Sequence, residues 1–489
     1  ASSVAAMHNT EVEMLRPFFM ANSKQRNRLL RRLVPAAAIG ILAFAVYSGT
    51  LGHGFVYDDG VTIKNNTFIT SWQNIGDFFD GAYFQRSGEA SYRPLTTLVY
   101  FINYGLWGKR AWGFHLSSVL IHSVNSVLVF LLMLRLCGKC GASADSSRRG
   151  VFAFLTAVLF AVHPVNAEAV NCISFNDDLL CTLFFLAALL FYVGSRDATR
   201  DNTRRTAFAA GMLCFPLAVF SKETAFVFPF AVVSVDFLYY RTERAGRSPE
   251  TRESERGSGR RVFADACRWW RKYRFRSYAV IALITLLCVL TRFDWMANAA
   301  LTEGNGGAGF TYPGGSLFTA LLTSTRIFVA YLSVLIVPVT LQAVYRIAPS
   351  ETPADPQVVM ALAGIAAFVY LLIRGRSHSP LIPVAGVWFV VTVLPVMNIV
   401  PINNPMAERY LYLPSIGFCM FPALLLCRLL PARVSVRTWC GRGKRTLSVS
   451  LAALFLATAY AGRSLARNRV WRNSFTLWQK TLQQVPGYP

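Results

Sequence analysis

Twelve apolar runs, each about as long as a membrane-spanning helix, limit what this chain can fold into. They lie near 34–51, 113–134, 151–166, 177–195, 207–221, 224–240, 278–293, 321–340, 357–374, 380–398, 411–430 and 447–462. Charged residues make up only 15% of the chain, whereas soluble proteins contain about 25%. The runs therefore predict an all-α polytopic membrane protein.

The basic residues lie in short blocks between the apolar runs. The formal net charge is +24, which would suggest a nucleic-acid partner if these residues formed a stripe on a soluble domain. Short blocks between spans instead indicate orientation, because Lys and Arg are enriched in cytosolic loops. We therefore expect no nucleic acid, a cytosolic N-terminal tail over 1–33 with no cleavable signal, and a cytosolic basic loop over 241–277. The stretch 294–316 contains no Lys or Arg, so the loop 294–320 is predicted to be luminal.

The basic segments 374–378 and 433–445 also resemble cytosolic loops, which is impossible if every run crosses. We assign the discrepancy to the run 321–340, which contains Arg326 and should form a luminal re-entrant or interfacial helix. The prediction is a transmembrane domain over 34–463 with about 11 spanning helices, a cytosolic N-terminus and a luminal C-terminus. The apolar stretch 94–107 is too short to span and should lie along the luminal interface.

With this topology, the polar motifs collect on one side. They are "YDD" (57–59), "SYRPL" (91–95), "HPVNAEAV" (163–170), "FNDD" (175–178), "SKET" (221–224) and "NNPMAERYLYLPS" (403–415). A charge at the centre of a span costs about 2.5–3.5 kcal/mol. Ionisable residues that gather at one face of the membrane therefore indicate a functional site.

Cations in these motifs have two possible roles. Lys222 and Glu223 lie between apolar flanks with no room for a loop, so they either pair with each other or Lys222 meets the phosphate of a lipid-linked substrate. Arg409 beside Glu408, and Arg93, allow the same two interpretations. A planar guanidinium can hold a phosphate with two hydrogen bonds, which favours Arg409 among the three.

Asp58 and Asp59 stand side by side just past the first apolar run. The pair could cap a helix, bind a cation or form a catalytic centre. Adjacent side chains point in different directions and the loop lacks the spacing of a calcium site, which disfavours a metal clamp. If one carboxylate holds the local structure, the other is free to act as a general base toward a hydroxyl.

Several motifs together resemble a known family. "FVYDDGVTIKNN", "SYRPLTTLVYFINYGLWG", "HPVNAEAV", "SKETAF" and "AERYLYLPSIGF" stand in the same order as in the transmembrane O-mannosyltransferases that target cadherins, over about residues 55 to 480. The resemblance implies a GT-C-type helical bundle in the endoplasmic reticulum membrane. It also implies a dolichyl-phosphate-mannose donor and a luminal protein acceptor, with membrane lipids around the helices.

The resemblance also implies roles for individual residues. Asp58 is the leading base, with Asp59 supporting it, for inverting transfer of mannose to a Ser or Thr hydroxyl. Arg409 and Lys222, with Arg93 in reserve, stabilise the departing lipid phosphate. No metal or other cofactor is expected, because the leaving group is a single phosphate with protein cations at hand. The residues assigned to the sugar or acceptor pocket are His163, Glu168, Glu223, Glu408 and Tyr410. A structural hydrogen-bonded pair remains an equal alternative for His163 and Glu168.

The chain departs from the family in two places. Family members continue into tetratricopeptide repeats, whereas 464–489 resembles a luminal linker and the first helix of such an array, with Trp471, Leu477 and Leu482 as its apolar positions. We therefore expect either a fragment or a protein that lacks the repeats. The "SFNDDLL" stretch differs from the family pattern, so Asp177 and Asp178 receive no role beyond a favourable helix start.

Two other functions fit the composition. A GT-C enzyme could transfer its sugar to a lipid or glycan rather than to a protein. Alternatively, Asp58, Lys222 and Arg409 could line the pathway of a transporter. A transporter predicts internal repeats and charges at mid-membrane, whereas this sequence shows no repeat of one half in the other and its charges collect at one face.

Overall fold

The computed structural model describes residues 32–79, 92–138, 146–245, 275–292, 312–430 and 444–486, together with Leu30 and Tyr83. Within these ranges the chain is helical or irregular and contains no strand. Most of the predicted N-terminal tail, most of the loop 241–277 and most of the loop 294–320 lie outside the described residues.

Each of the twelve apolar runs contains a helix. The first half of the chain contains α1 (Arg32–Gly52), α2 (Pro94–Trp107), α3 (Ala111–Cys137), α4 (Ser146–Val162), α5 (Ala167–Asn171), α6 (Asn176–Asp197), α7 (Asp201–Ser221) and α8 (Phe228–Ala245). The second half contains α9 (Phe275–Arg292), α10 (Leu317–Ile336), α11 (Pro356–Gly375), α12 (Leu381–Val393), α13 (Pro414–Leu429), α14 (Lys444–Val470) and α15 (Ser474–Gln484). Together these helices confirm the all-α fold.

Among the described helices, eight are long and apolar enough to cross a membrane. A ninth span results if α4 and the segment Pro164–Asn171, which meet at a bend of 47°, count as one. The remaining runs form α7, whose first turn carries Asp201 and two arginines, and the shorter apolar helices around α12 and α13. The protein is therefore a multi-pass membrane protein.

Close helix packing in the bundle depends on small residues. A Cβ atom on Gly417 of α13 would lie 2.8 Å from the carbonyl oxygen of Ala385 in α12, and one on Gly211 of α7 would lie 3.0 Å from that of Ala188 in α6. Lipid supplies no hydrophobic drive between helices, so backbones that approach closely gain van der Waals contact and hold the pairs together.

The predicted interfacial run forms α10, and its charged residue is accommodated by the segment that follows. That segment folds back so that the Arg326 guanidinium donates to the Ala348 carbonyl (2.9 Å) and the Ser350 hydroxyl (2.7 Å). Near its beginning, α10 is bonded to Met397 through Ser324. The length and hydropathy of α10 also suit a spanning helix, so its interfacial placement stays a prediction.

Short helices cover the end of the bundle that carries Asp58. Three short helical segments lie between the final turn of α1 (Ser48–Gly52) and α2: Gly60–Lys64, Phe68–Thr70 and Trp72–Phe79. The 14 residues of α2 are too few to span a membrane. Buried aromatic side chains tie these pieces together; they include Phe68, Tyr83, Tyr100, Phe101 and Phe114.

The predicted boundary at residue 463 lies inside a helix. α14 continues through Gly462 to Val470, because no proline interrupts it there, and α15 follows after a short turn. Of the apolar positions predicted for this last helix, Trp471 and Leu477 are fully buried, whereas Leu482 is exposed.

Candidate active site

Asp59 is a buried anchor for the loop that carries both acids. One carboxylate oxygen accepts hydrogen bonds from the Ser174 backbone N–H (2.7 Å), the Ser174 hydroxyl (2.8 Å) and the Cys172 thiol (3.4 Å). The other accepts from the Val56 N–H at 3.1 Å. Burial raises the pKa of Asp59 to about 6, although these bonds stabilise the charged form. Asp59 therefore fixes the loop to the turn before α6.

Asp58 as a residue is accessible to solvent although its carboxylate is partly buried, and no other side chain or N–H in the described ranges bonds to that carboxylate. Its backbone carbonyl starts the next turn by accepting from the N–H groups of Val61 and Thr62. Partial burial raises the pKa of Asp58, the positive charge of Arg409 opposes this, and the negative charge of Glu168 adds to it. The two adjacent acids thus have the different roles that the sequence left open: one is anchored and the other is available.

Tyr57, directly before the two acids, has an unusual backbone conformation. Its φ of +54° lies in the left-handed region, which costs a non-glycine residue about 1–2 kcal/mol. Strained backbone of this kind persists only where the surroundings hold it, and it is frequent at active sites.

Arg409 pairs with Glu168 from α5. Its Nη1 donates to Glu168 Oε1 at 2.5 Å, and its backbone N–H donates to Oε2 at 3.1 Å. The guanidinium lies over the Phe175 ring, 4.1 Å from the centroid, and 4.9 Å from the centroid of Tyr410. The predicted alternative, an ion pair between Arg409 and its neighbour Glu408, is wrong because adjacent side chains diverge here.

Glu408 turns instead toward the last long helix. Its Oε1 accepts from the Gln342 N–H (2.6 Å), the Tyr345 hydroxyl (2.9 Å) and Nη2 of Arg467 (3.3 Å). Burial raises the pKa of Glu408 to about 7, and Arg467 limits the rise. All three contacts are made by Oε1, whereas Oε2 is buried without a hydrogen-bond partner among the described residues. The assignment of Glu408 to a sugar or acceptor pocket stays a prediction.

Lys222 lies in a chain of alternating charges. Its Nζ contacts Asp178 at 2.5 Å and Asp177 at 3.2 Å, and Asp177 also accepts from Arg93 at 2.7 Å. Glu223 does not pair with Lys222, as one interpretation of the sequence held, but with Arg93 (2.8 Å) and Arg292 (3.1 Å). The extended backbone at Lys222 directs the two side chains to different partners. Asp177 and Asp178 come from α6 and Arg292 from α9, whereas Arg93 and Lys222 cap α2 and α7 and Glu223 begins the turn that leads into α8. We name these six residues the five-helix network.

Tyr410 links the two groups of cations. Its half-buried ring lies 4.9 Å from the Arg409 guanidinium carbon and 5.7 Å from Lys222 Nζ. The charges of Arg409, Glu168 and Asp177 in turn affect the pKa of Asp58. The predicted base and the predicted phosphate-binding cations therefore meet at one end of the bundle.

His163 is fully buried, and both of its ring nitrogens have backbone partners. Nε2 lies 3.1 Å from the Leu335 carbonyl oxygen, and Nδ1 accepts from the Val165 N–H at 3.2 Å. Glu168 is not its partner. Of the two interpretations left by the sequence, the structure favours a structural role for His163, and its assignment to a sugar or acceptor pocket has no contact to support it.

Several site residues were missed from the sequence. Asp177 and Asp178 hold Lys222, Arg292 holds Glu223, and Ser174 holds Asp59. The adjacent acids of "FNDD" and an arginine at the end of an apolar run were usable signals, since charges at membrane depth need partners. Ser174 gave no such signal. Among the described residues, no group of three or more His, Cys, Asp or Glu side chains could hold a metal ion.

Fold and site together define a multi-pass membrane protein with a cluster of paired charges and one available carboxylate at one end of its helices. The chain is similar over nearly its whole length to curated protein O-mannosyl-transferases. It is 25% identical to one from Caenorhabditis elegans over 95% of this chain, 28% to Tmtc3 of Drosophila melanogaster over 94%, and 26% to human TMTC4 over 92%. These matches confirm the resemblance seen in the motifs. The chain spans 59%, 51% and 61% of the length of these relatives, respectively.

No protein-family model matches the chain. Among solved structures, it is similar to ArnT from Cupriavidus metallidurans bound to undecaprenyl phosphate, with a TM-score of 0.42 and 13% identity over 92% of this chain and 77% of ArnT. It is also similar to the oligosaccharyltransferase AglB from Archaeoglobus fulgidus in complex with dolichol-phosphate, with a TM-score of 0.41 and 11% identity over 91% of this chain and 56% of AglB.

Proposed function

We propose that this protein is a GT-C-type glycosyltransferase that transfers mannose from dolichyl-phosphate-mannose to Ser or Thr residues of luminal proteins. The endoplasmic reticulum membrane, with the N-terminus cytosolic and the C-terminus luminal, is the proposed location. Similarity to curated protein O-mannosyl-transferases supports the proposal. The observation that carries it is an available carboxylate, Asp58, within the electrostatic reach of a buried arginine, Arg409.

In the proposed reaction, Asp58 accepts the proton of the acceptor hydroxyl as its oxygen attacks the anomeric carbon of mannose. The bond between that carbon and the phosphate oxygen breaks, and its electron pair leaves with dolichyl phosphate. Attack from the face opposite the phosphate inverts the configuration. A carboxylate that is partly withdrawn from water holds a proton more tightly, which suits a general base.

Arg409 is the proposed phosphate ligand. Glu168 occupies its Nη1 and backbone N–H, and no described residue accepts a hydrogen bond from Nε or Nη2. A planar guanidinium can offer this pair of donors to two phosphate oxygens. The Lys222 ammonium, shared between Asp177 and Asp178, is the second proposed cation and lies 5.7 Å from the centre of the same Tyr410 ring. The proposed mechanism uses no metal or cofactor.

The test is transfer of labelled mannose from dolichyl-phosphate-mannose to Ser- and Thr-containing peptides by purified protein. Asp58→Asn should lower kcat by about 10²–10⁴-fold, because it removes the base. The control Asp201→Asn changes an acid that is 67% exposed in a surface pair and should leave kcat unchanged. Transfer unaffected by Asp58→Asn would remove Asp58 from the mechanism. Mannose that appears only on added lipid or glycan acceptors would replace the protein acceptor.

A further inference from the structure

Helix α15 reaches the loop that carries Asp58 through a group of four aromatic side chains. The Tyr57 ring stacks on Trp478, with centroids 5.7 Å apart and an interplanar angle of 26°. The edges of Trp471 (6.1 Å) and Phe175 (5.9 Å) close the other sides of the same ring. We name these four residues the aromatic stack.

The backbone joins the two segments as well. The Gly54 N–H donates to the Arg472 carbonyl at 3.0 Å, directly before α15. On the inner face of α15, Leu477 is fully buried in a cluster with Val56. The side-chain amide of Gln484 donates to the Leu341 carbonyl at 3.0 Å, so α15 is fixed at both ends.

These contacts act on the residue that directs the base. Tyr57 directly precedes Asp58 and adopts a left-handed conformation, and in the segment that follows it Asp59 is buried whereas Asp58 is exposed. No described residue bonds to the Asp58 carboxylate, so its direction depends on the backbone before it. Phe175 also lies under the Arg409 guanidinium, which gives base and cation a common support.

We propose that Trp478 is a positioning residue for the transfer reaction. By stacking on Tyr57, it holds the Asp58 carboxylate in the direction of Arg409. The segment 471–484, which follows the last long helix, thereby forms part of the active site. The catalytic half of this proposal rests on the proposed function, whereas the structural half does not.

The test compares Trp478→Ala with Phe475→Ala in purified protein. Phe475 lies on the same helix but is 73% exposed, so its removal should change neither the loop nor the rate. Two quantities are measured: amide hydrogen exchange of peptides covering 54–65, and kcat and KM for mannose transfer. The exchange reports on the bonded N–H groups of Asp59, Val61 and Thr62 without requiring any activity.

We expect exchange in 54–65 to become about tenfold faster in Trp478→Ala, as befits loss of one aromatic contact. The kcat should fall about 10–100-fold, because small misplacement of a reacting group is costly. The KM for the donor should stay within about twofold, since the side chains of Arg409 and Lys222 keep their partners. Trp478→Phe keeps a stacking ring and should restore both quantities.

Two results would overturn the proposal: unchanged exchange in Trp478→Ala, or faster exchange with an unchanged kcat. If Trp478→Ala does not yield folded protein, Tyr57→Gly removes the ring while α15 stays intact and still permits a positive φ. It should accelerate exchange in the same peptides, and unchanged exchange would again contradict the proposal. A wild-type protein without mannosyltransferase activity would refute the proposed function, while the exchange measurements would still decide whether the stack holds the loop.

Discussion

Two groups of paired charges lie at the same end of this bundle, and they differ in how fully their cations are used. Arg409 has one carboxylate partner, Glu168, and keeps donors available within electrostatic reach of Asp58. In the five-helix network, Lys222 has two carboxylate partners and Glu223 has two arginines. A cation with spare donors can bind a ligand, whereas a saturated network primarily joins the elements that supply it. We therefore assign chemistry mainly to Arg409 and structural support mainly to the network.

Both groups of charges must face the same side of the membrane if they act together. The first prediction therefore concerns membrane topology, and its expected result is labelling of each site from one side only. Ser316 and Ser377 are both exposed and flank the region where the parity argument places a single crossing. Ser316→Cys should react with a membrane-impermeant maleimide from the luminal side, and Ser377→Cys only from the cytosolic side. Wild-type protein supplies the background. Labelling of both from one side would overturn the topology.

Loss of the central cation should have the largest effect on stability. Lys222→Met leaves the buried acids Asp177 and Asp178 without their shared cation, which should destabilise the protein by about 3–5 kcal/mol. Thermal unfolding in detergent measures the change. The comparison variant is Arg292→Gln: its partner Glu223 keeps Arg93 and is 43% exposed, so the loss should be smaller, about 1–3 kcal/mol, including the hydrogen bond that the buried Arg292 donates to the Tyr92 carbonyl. Equal losses in the two variants would contradict a network centred on Lys222.

Arg409→Lys tests the other group with a smaller change. The ammonium keeps a charge for Glu168 but loses the planar pair of donors proposed to hold the phosphate. We expect kcat to fall about 10²–10³-fold, the size of effect seen when one stabilising donor is removed from an active site. Thermal stability should change much less than in Lys222→Met. A variant with near-normal kcat would move the phosphate-binding role from Arg409 to the network.

The sequence predicted the helices well, because helix formation depends on residues close together in the chain. It predicted the side-chain partners poorly, because these come from distant parts of the chain. Apolar runs of spanning length placed all the long helices, because lipid forces backbone polar groups into helical hydrogen bonds. The choice of ion-pair partners was harder. Lys222 and Glu223 are adjacent, yet each bonds to residues more than forty positions away. Long-range packing selects such pairs, and a single sequence does not contain that information.

The same limit applies to the acidic loop. Sequence alone left a cap, a cation site and a catalytic centre open for Asp58 and Asp59, and offered one anchored and one available acid only as a condition of the catalytic interpretation. Only the fold supplies Ser174 as the anchor and Trp478 as the ring that stacks on Tyr57. These partners lie 115 and 421 positions from the residues they contact. The resemblance to a known family located the loop, and the three-dimensional contacts distinguished its two acids.

The smallest predicted effect, a shift in pH dependence, tests whether the two groups communicate. Burial raises the pKa of Asp58, and the negative charge of Asp177 contributes to the rise. Asp58 should therefore become protonated at a higher pH than an ordinary aspartate. Since the base must be deprotonated, kcat/KM should fall as the pH drops through this raised pKa. Asp177→Asn removes the negative charge, lowers the pKa of Asp58 and should move the acid limb of the pH profile to lower pH. The control Asp201→Asn should leave the limb in place. A limb that stays fixed in Asp177→Asn would show that the two groups act independently, and a limb that moves upward would contradict the electrostatic effect proposed for Asp177.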